Sequence, residues 1–279
     1  MPIDKIIKQA LDEDLGKIGD ITSHFTIPSD RQIKFKISNR EPIVLCGSDI
    51  ALQIFSAVQK RLKTESIVLK INYQDGDFLP KNSVIIEGSG NARAIFAAER
   101  LVLNLMQHLS GISTATKEYV DKINGTKTKI LDTRKTIPGL RELQKYAVKT
   151  GGGTNHRMAL YDGILIKDNH IAAAGGIMGA VRMVRENLTK QMSIEVECDN
   201  LSQVAEALLA KVDIIMLDNM NLEQIKKAVE LIAGKAKIEV SGGMNLSVIK
   251  EVARTGVDYI SVGALTHSVK AVDIGLDVV

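Results

Sequence analysis

From Thr128 onward the chain repeats one arrangement about six times: a short apolar run, a few polar or charged residues, then a stretch with apolar residues at helical spacing. The runs are "TKILDTRK", "DGILIKDNH", "MSIEVECDN", "VDIIMLDNM", "AKIEVSGG" and "VDYISVGA". Strand, loop and helix in repetition build a parallel sheet with outer helices, and closing such a sheet into a barrel removes its exposed edges. Six units fall short of the usual eight, so the pattern predicts an incomplete or modified barrel, with an open doubly wound sheet as the alternative.

The first hundred residues have another rhythm. Ile33, Phe35 and Ile37 alternate with Lys34 and Lys36, which marks a half-buried strand. "SIVLKINY" and "NSVIIEG" flank Asp75-Gly76 like the arms of a hairpin, and Ser48 is a candidate cap for the helical pattern "GSDIALQIFSAVQKRL". From Asn91 a long helix is expected, with Ile95, Ala98, Val102, Leu105, Leu109 and Ile112 on one stripe. The expected fold is therefore α/β: an N-terminal α+β open-sheet sandwich over residues 1–110 and an incomplete, about six-stranded α/β barrel over 111–269, with the tail 270–279 able to return to the first domain.

Composition narrows the function. With 279 residues, 45% of them hydrophobic, the chain can bury a sizeable core, and a net charge of +3 is too small for a nucleic-acid or membrane surface. Any basic site must be local. Cys46 and Cys198 have neither a disulfide-like nor a zinc-like spacing, which suits a reducing cytoplasm. Asp4, Asp12, Glu13 and Asp14 interrupt the opening segment, so no secretory signal is expected, and no later run has the apolar length of a membrane span.

In a parallel barrel the reactive groups stand at the carboxyl ends of the strands. Here those ends carry Arg134 and Lys135; Lys167, Asp168 and His170; Glu195 and Glu197; Asp218 and Asn219; Ser241, Gly242 and Gly243; and Gly263 with His267. Any one of these could be an ordinary solvated loop charge. Together, Arg134, Lys135, Arg157 and Lys167 converging with His156 would be costly without an anion, so the site should take a ligand with several negative groups. "SGG" and "VGA" before expected helices suit a phosphate, although a tight turn explains such glycines as well. Glu197 and Asp218 suit magnesium, sugar hydroxyls or a developing positive charge, whereas Glu195 is read equally well as an ion-pair partner of the neighbouring bases. The triplet Gly151-Gly152-Gly153 could aim His156 and Arg157 inward or be a mobile linker. Lys167 alone would also suit a Schiff-base enzyme of the aldolase kind.

The composite "LDTRKTIPGLRELQKYAVKTGGGTNHRMALYDGILIKDNH", with "ERLVLNLMQHLSGIST", "IEVEC", "LDNM", "SGGMN" and "SVGALTH", resembles the quinolinate phosphoribosyltransferases along nearly the whole chain. The resemblance implies transfer of phosphoribosyl from phosphoribosyl pyrophosphate to quinolinate with magnesium, giving nicotinate mononucleotide, pyrophosphate and CO2. It also implies a sandwich domain with an incomplete α/β barrel. By the same resemblance Arg134, His156, Arg157 and Lys167 form the quinolinate pocket, and Lys135 lies nearer the donor's phosphates. Glu197 and Asp218 face the ribose and magnesium, directly or through water, while Ser241, Gly242, Gly243 and Gly263 hold the 5-phosphate. Arg100, which sits off the apolar stripe of its helix, matches an arginine that the family inserts into the neighbouring subunit of a homodimer. Two other outcomes stay open: a noncatalytic paralogue of the molybdenum-transport-associated type, and a transferase that uses nicotinate.

Overall fold

The computed structural model of the chain describes residues 3–279. In order, the chain runs α1 (Ile3–Leu15), α2 (Ile21–Thr26), β1 (Gln32–Asn39), β2 (Ile43–Val44), α3 (Ser48–Leu62), β3 (Val68–Ile71), β4 (Phe78–Leu79), β5 (Val84–Asn91) and the long α4 (Ala92–Lys122). It continues with β6 (Lys129–Leu131), α5 (Arg141–Thr150), β7 (Ile164–Ile166), α6 (Asp168–Ala174), α7 (Ile177–Asn187), β8 (Ile194–Cys198), α8 (Leu201–Leu209) and β9 (Ile214–Asp218). The last elements are α9 (Leu222–Ile232), β10 (Lys237–Ser241), α10 (Ile249–Arg254), β11 (Tyr259–Ser261), α11 (Ala264–His267) and β12 (Ile274–Val278). Two compact units result: residues up to Lys117 with Ile137–Gly152 and Ser268–Val279, and Glu118–Thr136 with Gly153–His267.

The first unit is built on an antiparallel sheet in the order β12-β1-β5-β3. Alternation along β1 buries Phe35 and Ile37, and the Phe35 ring lies 5.5 Å from that of Phe55 on α3. Gly88 opposite is required by space alone, since a Cβ there would meet the Phe35 ring at 2.5 Å. The expected hairpin arms do pair, as β3 with β5, but Asp75-Gly76 is not a two-residue turn between them, because β4 intervenes and pairs with β2. Asp75 instead reaches back to α3. Its carboxylate accepts from Gly47 N (2.8 Å), Ser48 N (3.0 Å) and the Ser48 hydroxyl (2.7 Å), so the cap is this distant aspartate and Ser48 is the first helical residue. The stripe on α4 is buried as its spacing predicts, from Ile95 to Ile112.

α5 follows β6 as an outer barrel helix would, yet it groups with the first unit. The Tyr146 hydroxyl donates to Asp75 (2.9 Å), and Gln144 Nε2 lies 2.9 Å from His108 Nε2. The helix ends at the glycine triplet, where Gly151 closes on the Ser113 carbonyl of α4 and leaves no room for a Cβ, and Gly152 takes a φ of 89°. Termination and close packing, not aim, account for these two glycines.

The second unit carries, among the described residues, six parallel strands in the order β6-β11-β10-β9-β8-β7: an incomplete α/β barrel, as the repeat predicts. Its helices present apolar faces such as Ile225, Ala228 and Ile232 of α9, and Asn200 and Asn221 cap α8 and α9 by accepting from Gln203 N and Gln224 N. Alternation along the strands turns Val196, Leu217 and Val240 one way and Glu197, Asp218 and Ser241 the other. Both cysteines are free and buried, and burial pushes both thiols above their ordinary range. Among the described residues no helix is long and apolar enough to cross a membrane.

Candidate active site

At the carboxyl ends of the barrel strands lies a cavity of about 660 Å³. Each strand of the parallel array contributes to its wall: Arg134 and Lys135 follow β6, Lys167 follows β7, Glu197 is on β8 and Asp218 on β9. Ser241, Gly242 and Gly243 close β10, and Gly263 follows β11. His156 and Arg157 enter from the loop beside β6, where Thr154 bridges to Leu131 and His156 N donates to Asp132 (2.9 Å). Every barrel residue that the family resemblance assigns to the site thus lines one cavity, whereas the strand-end residues Asp168, His170, Glu195 and Asn219 do not. Arg100 is not among its lining residues; it stands exposed on α4 in the first unit and pairs with Glu99 at 3.4 Å.

The positive groups are not evenly matched. Burial, and then the neighbouring charge of Arg134, hold the Arg157 guanidinium below its usual range, with the Glu195 carboxylate working the other way. Arg157 Nη1 also donates to Gly163 O at 2.8 Å. Lys167 is ion-paired with Glu197. Such a wall attracts an anion able to meet several cations at once.

The glycine loops differ in kind. Gly242 and Gly243 have φ of 85° and 65°, and a Cβ on Gly242 would strike Asn219 Oδ1, so only glycine fits this turn. No helix starts there, contrary to the sequence expectation, because α10 begins only at Ile249. Gly263 does lead directly into α11, and a Cβ on it would press on Lys135 Cδ and His267 Nε2 at 3.1 Å. His170 turns away to cap α6, its Nδ1 accepting from Lys167 N at 3.0 Å.

Sequence inspection missed Glu239 and Ser261. Glu239 is 1% exposed, and its carboxyl is pushed up by burial and then by the nearby Glu195 charge. The available signal was a lone acid inside "KIEVS" at the same parity as Ser241, which places it on the cavity side of β10. His156, Glu195 and Glu239 offer ligand atoms within 4.8 Å of one another, while Glu197 and Asp218 present carboxylate oxygens to the cavity itself.

An incomplete α/β barrel whose strand ends surround clustered arginines and lysines with facing carboxylates defines an enzyme that binds a polyanionic small molecule. Residues 20–110 match the quinolinate phosphoribosyl transferase N-terminal domain and residues 112–277 its C-terminal domain. The chain is 43% identical over 274 residues to nicotinate-nucleotide pyrophosphorylase (carboxylating) of Mycobacterium leprae, covering 97% of this chain and 95% of that protein. It is likewise 43% identical over 278 residues to a probable nicotinate-nucleotide pyrophosphorylase (carboxylating) of Bacillus subtilis, covering 100% and 94%. The crystal structure of nicotinate-nucleotide pyrophosphorylase from Ehrlichia chaffeensis superposes with a TM-score of 0.93 at 46% identity, over 100% of this chain and 99% of that one. The chain belongs to the quinolinate phosphoribosyltransferase family.

Proposed function

We propose that the chain transfers the phosphoribosyl group of phosphoribosyl pyrophosphate to the ring nitrogen of quinolinate, with decarboxylation, giving nicotinate mononucleotide, pyrophosphate and CO2. The observation that carries this is the single cavity in which Arg134, Lys135, Arg157 and Lys167 face Glu197 and Asp218. Quinolinate brings two carboxylates and the donor a phosphate and a pyrophosphate, and these need that many cations. Arg134, Arg157 and Lys167 hold the acceptor, with His156 beside them. Lys135 serves the departing pyrophosphate, and Ser241 to Gly243 with Gly263 receive the 5-phosphate. As the bond to pyrophosphate loosens, Glu197 and Asp218 stabilise the positive charge on the ribose carbon. The ring nitrogen's pair forms the new bond, and the cationic ring then accepts the electron pair left by the departing carboxylate, which solvent protonates.

Hard carboxylate oxygens on Glu197 and Asp218 fit magnesium, held directly or through water, and the ion would supply charge neutralisation at the pyrophosphate. Arg100, exposed on its helix, suits insertion into the site of a second copy in a homodimer. Free buried thiols fit a cytoplasmic enzyme. Pairing of Lys167 with Glu197 counts against free-amine chemistry of the aldolase kind.

Purified protein with phosphoribosyl pyrophosphate, magnesium and either quinolinate or nicotinate tests the proposal. Nicotinate mononucleotide from quinolinate alone is expected. Product from nicotinate would move the chain to the non-decarboxylating reaction, and no product from either, with folded protein, would favour a binding paralogue.

A further inference from the structure

Below the cationic wall, side chains from two barrel strands and one loop meet around a single imidazole. His156 Nε2 lies 3.2 Å from Glu195 Oε2 and 3.6 Å from Glu239 Oε2. On the other side of the ring, Nδ1 accepts from the backbone N–H of Arg157 at 2.8 Å. The second oxygen of Glu239 accepts from the Ser261 hydroxyl at 2.5 Å. The side chains of His156, Glu195 and Glu239 are 11%, 6% and 2% exposed, so this is an interior arrangement and not a surface ion pair.

The donor and acceptor inventory fixes what the ring can do. A ring nitrogen that accepts an amide N–H carries no proton, so the imidazole proton sits on Nε2 and points at the carboxylates. Both nitrogens are then used by the protein, and the carboxylates of a ligand in the cavity fall to Arg134, Arg157 and Lys167. The Glu195 carboxylate also sets negative charge near Arg157, which is otherwise crowded by Arg134.

We propose that Glu195, with Glu239 beside it, is a positioning residue for the dicarboxylate acceptor: it accepts the hydrogen bond of His156 Nε2–H and so fixes the ring, and through Nδ1 the backbone of Arg157. The guanidinium, tied at its far end to Gly163 O, then faces the acceptor in one orientation. Ser261 holds Glu239 beside this pair, 3.6 Å from Nε2. The inference rests on the phosphoribosyl-transfer reading of the cavity and adds to it which buried groups determine acceptor affinity. Neither Glu195 nor Glu239 touches the reacting atoms in this scheme.

The test compares Glu195→Ala, Glu195→Gln and the milder Ser261→Ala, which frees the neighbouring Glu239, each checked for folding by thermal melt. Expected for Glu195→Ala is a rise of about tenfold or more in KM for quinolinate, because misplaced positioning groups are costly, with KM for phosphoribosyl pyrophosphate within about twofold. Glu195→Gln, whose amide oxygen can still accept from Nε2–H, should recover most of the loss, and Ser261→Ala should show the same split at smaller size. In histidine-labelled protein, the nitrogen NMR signature of a ring protonated at Nε2 and bare at Nδ1 should persist in Glu195→Gln and change in Glu195→Ala. If Glu195→Ala does not fold, the other two variants carry the comparison.

Equal rises in both KM values, no change in either, or a glutamine variant no better than alanine would overturn the proposal. So would a stoichiometric divalent metal found in purified protein and lost from Glu195→Ala, since the three residues would then be a metal site. Quinolinate calorimetry on wild type and variants needs no turnover. Protein that binds quinolinate with the expected split but forms no product would sink the transferase reading and leave the positioning role standing.

Discussion

Arg157, beside Arg134, is the cavity's clearest electrostatic demand for an anion. Burial and mutual repulsion disfavour the Arg157 cation, and the Glu195 carboxylate offsets only part of that. In the proposed reaction a ligand carboxylate would complete the balance. Arg134→Ala should therefore weaken quinolinate binding by about 10- to 100-fold, the scale of a lost hydrogen bond to a charged group, and donor binding much less. Calorimetry with each ligand checks this, and equal loss of both would remove Arg134 from the acceptor pocket. These arginines were legible in "LDTRK" and "TNHR" because charges at the end of apolar runs stand out. Glu239 was not, since one acid within a strand reads as noise until its neighbours across the sheet are known.

Single elements are tied down by aspartates acting at a distance. Asp75 caps α3 and receives the Tyr146 hydroxyl of α5, so it joins two helices far apart in sequence. Asp75→Ala should cost about 1–3 kcal/mol in urea unfolding, by losing a cap and leaving amides unpaired. Near the amino ends of the strands, Asp258 accepts from Ile238 N (3.0 Å), Lys237 (3.0 Å) and Lys127 (3.2 Å), joining the entries to β6, β10 and β11. Burial pushes its carboxyl up, but these bonds outweigh burial and hold it below the usual carboxylate range. A lowered folded-state pKa adds stability above the unfolded value of about 4 that is lost as pH falls through the folded value. The stability gap between wild type and Asp258→Asn should therefore be full near neutral pH, at about 1–2 kcal/mol because the lysines are exposed, and should close in stronger acid. Urea melts across that range decide it. Element type was readable from periodicity, as the α4 stripe demonstrates. The identity of caps was not, because Asp75 lies 27 residues from the Ser48 it bonds.

For the whole molecule the question is whether one chain suffices. Arg100 stands exposed on α4, and the proposed homodimer would place it in the partner's site. Mixing inactive Arg100→Ala with inactive Glu197→Gln under exchange should restore activity to about a quarter of wild type. Half of the random dimers are then mixed, and each mixed dimer has one intact site of two. No recovery despite proven exchange would place Arg100 elsewhere.

Sequence by itself determined the incomplete barrel, the strand ends that carry its charges and the family, because apolar periodicity and local motif chemistry are written in consecutive residues. Only the tertiary structure decided that α5 groups with the first unit, that Asp75 caps α3, that the Ser241 to Gly243 turn stands apart from any helix start, and that Glu195, Glu239 and Ser261 gather behind His156. Each depends on contacts between residues far apart in the chain. Which distant groups meet is set by packing and strand order, and those have no local signature.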